Sequence, residues 1–238
     1  MKSVIIILLI VIIASFRLEA QKFQNSKAYK IEKNTIDDFR EDRFINNGGF
    51  VGGNIKYAEI AGSPYLNKDF RAGSLLLAND SLIENCLIRY NIYTDQIEHI
   101  DSGKVYEIAP KSMVKKIHLD QSVLVCLKNN EKGKTNEHYF EELTSGKVSL
   151  YIRYAVQFVP PATSFPYAKT DSAHFSSPMK TYYLSNAAHQ LIRVTGRKVL
   201  LKIFADKKRE LKEFLRTSRF PINSEADIRS ITSFYNNL

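Results

Sequence analysis

The chain has 238 residues, with 34 Lys and Arg against 25 Asp and Glu, a formal net charge of +9 and a pI near 9.4. Hydrophobic residues make up 44% and charged ones 25%, with two Cys and no Trp, which excludes a disordered, collagen-like or disulfide-framework chain. The positive surplus favours contact with anionic surfaces, and it also serves plain solubility.

At the start, Lys2 precedes an apolar run, Val4–Ala14, that Ser15 ends. Such a run is too short to span a bilayer, which takes about 20 apolar residues, but it has the length of a secretory h-region. Cleavage is expected after Ala20, with Leu18 where a small residue is usual; the alternative is an uncleaved anchor flanked by Arg17. No Cys follows the run, so a lipoprotein anchor at that point is excluded. The reading is export to the periplasm or cell envelope, residues 1–20 being the signal and about 218 residues, carrying +8, the mature protein. In that compartment the expected partners are an envelope protein, a glycan or an anionic lipid surface, and nucleic acid is not expected.

Residues 21–46 are polar and mixed in charge and read as an N-terminal arm, with one helical turn around Thr35–Arg43. Four glycines within 48–53 lack the lysine and context of a phosphate loop and predict a turn. Residues 47–160 read as an antiparallel β domain. Its clearest strand is 147–159, where Val148, Leu150, Ile152, Tyr154, Val156 and Phe158 alternate with mainly polar or small residues. At roughly 3.3 Å per residue it would run about 40 Å, so a bend or bulge is expected. In LIRYNIYTDQIEHI, 87–100, Ile88, Tyr90 and Ile92 share one face, and Thr94–Gln96 mark a bulge or tight turn. Asp101–Lys104 predicts a hairpin into 105–108, VLVCL at 123–127 another strand, and 129–134 its loop. KSMVKKIHL, 111–119, is expected to be a short crossing helix.

Three prolines and many small polar residues, with Pro160 before them, make 161–178 a linker. Residues 179–238 are read as a hairpin with a turn near Ser185–Asn186, followed by a helical unit. Val199, Leu200, Ile203 and Phe204 fit one helix face, and Leu211, Phe214 and Leu215 a second, with Asp206 as N-cap. Beyond Pro221, Ser224–Asp227 has capping-box spacing and opens a last helix burying Ile228, Ile231, Phe234 and Tyr235. The fold class is therefore α+β: an antiparallel meander or roll, then a hairpin and a small helical C-terminal unit.

Candidate chemistry is sparse. Arg89 and Asn91 lie on the same side of their strand and, with Asp95, could line a polar cleft that binds a carboxylate; a solvated or internally bonded sheet face is the alternative. Asp69 belongs to the same polar group. His138 and Glu142 would share a helix face, but no H-E-x-x-H or second ligand pair exists, so no metal is expected. No nucleophile elbow or other catalytic signature occurs, and no cofactor is expected. Cys86 and Cys126 each sit in an apolar run; a disulfide between them and two buried thiols are both open. Lys198, Lys202, Arg209, Lys212 and Arg216 recur at helical spacing and form a stripe suited to an anionic membrane or glycan, or simply to water.

GSPYLNKDF at 62–70, LIRYNIYTDQIE at 87–98, and RKVLLKIFADKKRELKEFLRTSRF ending in ITSFYNNL resemble, in order and spacing, a family of exported proteins of Gram-negative bacteria without an assigned activity. The resemblance covers most of the mature chain and implies export and a strand-then-helix layout. It departs at LSNAAH, 184–189, where a glycine is expected, which leaves the turn type open. Three functions remain in play: a non-enzymatic binding or structural protein of the envelope, an envelope hydrolase or glycan-modifying enzyme, and an anionic-membrane binder through the basic helices.

Overall fold

The computed structural model describes residues 40–41, 50–51, 55–108, 110–131, 133–161, 172–185, 190–218 and 224–238. The segment expected to be a signal, most of the expected arm, the core of the expected linker and residues 186–189, where a turn was expected, lie outside them. Strands come first in the chain: β1 (Arg40–Glu41), β2 (Phe50–Val51), β3 (Ile55–Lys56), β4 (Arg71–Leu77), β5 (Leu82–Asn91), β6 (Gln96–Asp101), β7 (Lys104–Ile108) and β8 (Val114–Leu119). Then follow β9 (Ser122–Glu131), β10 (Lys134–Thr144), β11 (Leu150–Ala155), β12 (Phe158–Val159), β13 (His174–Phe175), β14 (Met179–Ser185) and β15 (Leu191–Arg193). Three helices close the chain: α1 (Arg197–Ile203), α2 (Lys208–Ser218) and α3 (Glu225–Asn236).

Eleven strands make one antiparallel sheet in the order β1-β7-β6-β5-β4-β8-β9-β10-β11-β14-β15. The protein is β-rich α+β. Two meanders, β4–β7 and β8–β11, meet where β8 pairs with β4, and β14–β15 extend the far side. The sheet is rolled. Tyr90 on β5 and Tyr139 on β10 are four strands apart in sheet order, yet their rings lie 5.9 Å apart, which a flat sheet forbids. Leu75, Ile88, Ile97, Ile117, Leu124, Tyr139 and Ile152, all fully buried, fill the inside of this roll.

The alternation read from 147–159 holds: Val148, Leu150, Ile152, Tyr154 and Val156 are all buried. The expected break falls at Val156–Gln157, after which β12 leaves the main sheet and pairs with β13. That pairing corrects the linker, because Phe175 at 4% exposure packs against Tyr57, Tyr93 and Phe158 and is part of the core. Between β6 and β7, Ser102 and Gly103 both take positive φ, 50° and 77°, as a two-residue hairpin requires. The loop expected over 129–134 shrinks to two residues, since the β9–β10 ladder runs out to Glu131 and Lys134.

Other expectations fail locally. The crossing helix over 111–119 is a single 3-10 turn, Lys111–Met113, followed by β8; β-branched Val114 and Ile117, with Leu119, are buried as a strand that pairs with β4 and β9 on its two edges. No helical turn spans Arg40–Glu41, which pair with β7. The segment around His138 is strand, in line with its apolar Tyr139 and Phe140 and the neighbouring strands, so His138 and Glu142 share a sheet face and no helix.

The hairpin of β14 and β15 belongs to the same sheet, and the helices pack on its end. Leu200 of α1, Phe204 just past its end, Leu211 and Leu215 of α2, and Ile228 and Ile231 of α3 form one cluster with Val148, Leu150 and Leu184. Ser224 caps α3 with both bonds of the capping box, as its spacing implies. Asp206 is not an N-cap: it lies in a 3-10 turn before α2 and accepts the Tyr235 hydroxyl. Asn236 fastens the helices to the sheet, its Oδ1 accepting Val148 N–H at 3.0 Å and its Nδ2 donating to Val148 O at 2.9 Å. Replacing Asn236 with alanine would strand both groups of a buried residue. We expect a loss of about 2 kcal/mol, seen as a shift in urea midpoint with unchanged slope. A midpoint that does not move would show that water replaces the amide there.

Candidate functional site

The segment Gly62–Leu66 lies along the end of β5. Ile92 N–H and Tyr93 N–H donate to Pro64 O, and Leu66 N–H donates to Tyr90 O. Two of the sequence blocks that carried the resemblance, GSPYL and RYNIYTD, thus meet at one place in the fold.

Beneath this segment Arg89 is held on every side. Its Nε donates to Glu98 Oε2 at 2.8 Å, its Nη2 lies 2.7 Å from the same oxygen and 2.7 Å from the Tyr65 hydroxyl, and its Nη1 reaches Lys68 O. The guanidinium carbon sits 3.6 Å from the Tyr65 ring centre and 4.2 Å from that of Phe70, which adds a cation–π contribution. Glu98 is fully buried and takes a further bond from Asn91 Nδ2 on its other oxygen. Asn91 Oδ1 accepts from the N–H groups of Tyr93 and Thr94, closing the turn into β6. Burial pushes the Tyr57 hydroxyl up to about 12, against a partial offset from its bond to Asn91, so it stays protonated at neutral pH.

Asp95 stands beyond that turn, on positive φ (57°), and faces away from Arg89's partners toward β10. Its carboxylate accepts from Tyr90 Oη (2.7 Å), Lys111 Nζ (2.5 Å), His138 Nδ1 (2.8 Å) and the Tyr139 N–H (3.2 Å). The β10–β11 ladder pairs only Glu141–Thr144, which leaves this edge of β10 open for it. Burial opposes the charge on Asp95, but the bonds from His138, Lys111 and Tyr90 and the Lys111 charge outweigh it, and its pKa falls. An ionised carboxylate can only accept, so His138 Nδ1 carries the proton.

Of the three expected ligand residues, then, Arg89 and Asn91 converge on Glu98, while Asp95 serves a separate junction across the roll. Of the two readings of Arg89, the internally bonded one holds: its fork already grips a carboxylate, that of Glu98. Asp69 is exposed. Glu98 was legible in principle, because a turn that pairs Asn91 with Gln96 sets Arg89 opposite Glu98. Lys111 and His138 carry no local signal; they arrive only by curling of the sheet.

Above Arg89 opens a cleft of about 200 Å³, with Tyr57, Ser63, Tyr65 and Lys68 on its walls. It is smaller than typical ligand sites of roughly 300–1,000 Å³. The cysteines are free thiols, which corrects the disulfide reading. Burial raises each thiol to about 11, so neither is a ready thiolate.

The basic residues lie on the outer side of the helical unit. Lys198 and Lys202 are exposed on α1, and Arg209, Lys212 and Arg216 on α2. With Lys208 and Glu213, the three α2 cations border one open hollow of about 730 Å³. No helix among the described residues is long and apolar enough to cross a membrane, and none of their His, Cys, Asp and Glu residues form a group able to hold a metal. No family model, curated protein or solved structure matches the chain.

Proposed function

We propose that this is an exported protein of the periplasm or cell envelope that works by binding or as a structural component, without catalysis. The observation that carries the reading is the inward commitment of its reactive-type side chains. Arg89 is neutralised by Glu98, and Asp95 by Lys111 with His138, each inside a network that holds strands and turns together. A general acid or base needs a lone pair or proton aimed at substrate, and these groups aim theirs at one another. The Val4–Ala14 run supports export, and the positive charge supports an anionic partner.

The test is turnover. The mature protein, purified and offered a panel of glycosidase, esterase, amidase and peptidoglycan substrates, is expected to convert none. Conversion that disappears on one substitution at Asp95, His138 or Arg89, with the fold retained, would replace this reading with an envelope hydrolase.

A further inference from the structure

Between positions 193 and 216 the chain has nine Lys and Arg, from Arg193 to Arg216, against Asp206, Glu210 and Glu213. This stretch therefore holds six of the nine net charges of the chain. Among the described residues its one ion pair is Arg216 with Glu213, at 2.7 Å, both more than half exposed. Asp206 is engaged by Tyr235 instead. The charge is left facing outward.

The apolar side of the same helices is already spent. Leu200, Phe204, Leu211 and Leu215 lie at 0–3% exposure against the sheet. A helix that lies in a membrane keeps a free apolar face to bury among acyl chains, and α2 has none to offer. What remains is a rigid row about 12 Å long, in which Lys208, Lys212 and Arg216 follow one another at intervals of four with Arg209 beside them. A flat anionic surface engages such a row along its whole length at once.

We infer that the outer face of α2 docks the protein on anionic phospholipid, at headgroup depth and without insertion. This deepens the reading above, on which it rests, by naming the partner. Each cation near such a surface strengthens partition by about fivefold, and the attraction decays within a Debye length. Arg216 contributes least, since Glu213 cancels it.

The experiment is co-sedimentation of the mature protein with phosphatidylglycerol–phosphatidylethanolamine vesicles and with pure phosphatidylcholine vesicles. Binding is expected only to the first. It should be lost as salt rises from about 0.1 M to 1 M, which shortens the Debye length from about 10 Å to 3 Å. Changing Lys208, Arg209 and Lys212 together to Gln is expected to weaken it on the order of 100-fold. A matched triple of exposed lysines elsewhere, Lys128, Lys134 and Lys147 to Gln, should stay within about fivefold of the parent. Equal losses in the two triples, binding that ignores salt, or binding to a soluble sulfated polysaccharide but not to vesicles would each overturn the inference. The salt titration uses the unaltered chain and does not depend on a variant folding. Absence of lipid binding without turnover overturns the lipid assignment alone, and turnover by a lipid-bound protein overturns only the non-enzymatic reading.

Discussion

Glu98→Ala is expected to cost about 4 kcal/mol and to lower the melting temperature by about 12 °C. Glu98 has no exposed surface, and its partner Arg89 keeps only 11% of its side chain in water. Removing the carboxylate leaves a guanidinium clamped between Tyr65 and Phe70 with its charge unanswered, and it takes a hydrogen-bond partner from Asn91. The cost is chiefly that of the abandoned cation, not the worth of the pair. The combined change Arg89→Met with Glu98→Leu should therefore recover about 2 kcal/mol of the single loss. Chemical unfolding of Arg89→Met, Glu98→Leu and the double closes the cycle. A Glu98→Ala protein within about 1 kcal/mol of the parent would mean that water enters beneath Gly62–Leu66 and that the network is not dry.

The second large effect concerns Asp95→Asn. Asparagine keeps the size of the side chain and tolerates the left-handed backbone at this position, so the substitution isolates the charge. It leaves Lys111, at 16% side-chain exposure, without its counter-ion and takes from His138 the carboxylate that its Nδ1 faces. We expect a loss of about 3 kcal/mol at neutral pH, the low end for a buried pair because these groups retain some water. The pH dependence follows from the lowered pKa of Asp95. The unfolded carboxyl titrates near 3.9, above the folded one. The stabilisation is complete above that value and is lost as pH falls through the folded pKa. The gap between parent and Asp95→Asn should thus be constant from about pH 5 to 7 and close in acid. A gap that is the same at pH 7 and at pH 2 would assign the loss to geometry instead of charge.

Both predictions sit where the sequence spoke least clearly. Period-two burial in 147–159 and the helical spacing of Leu211, Leu215, Ile228 and Ile231 were local patterns, and the fold honours them. The failures have a common cause. Met113, Val114 and Ile117 fit a helix face as well as a strand, and the choice was made by β4, which offers a ladder to one edge of that segment. Cys86 and Cys126 both occupy apolar runs, and only the folded sheet leaves them as two separate thiols. Arg89 and Asn91 were rightly placed on one face, whereas their partner needed the hairpin register and the junction at Asp95 needed the roll. Long-range closure has no signature in a neighbourhood of ten residues.

The Asp95 junction has a meaning for motion as well. Here the rolled sheet is drawn shut by a carboxylate and its three side-chain donors, where β11 has already parted from β10. A seam made of side chains can part without unravelling either strand, which a ladder of backbone bonds cannot. The protein therefore carries its own zip fastener. Opening the roll at this seam would release these side-chain bonds first and leave the β4–β8 ladder paired.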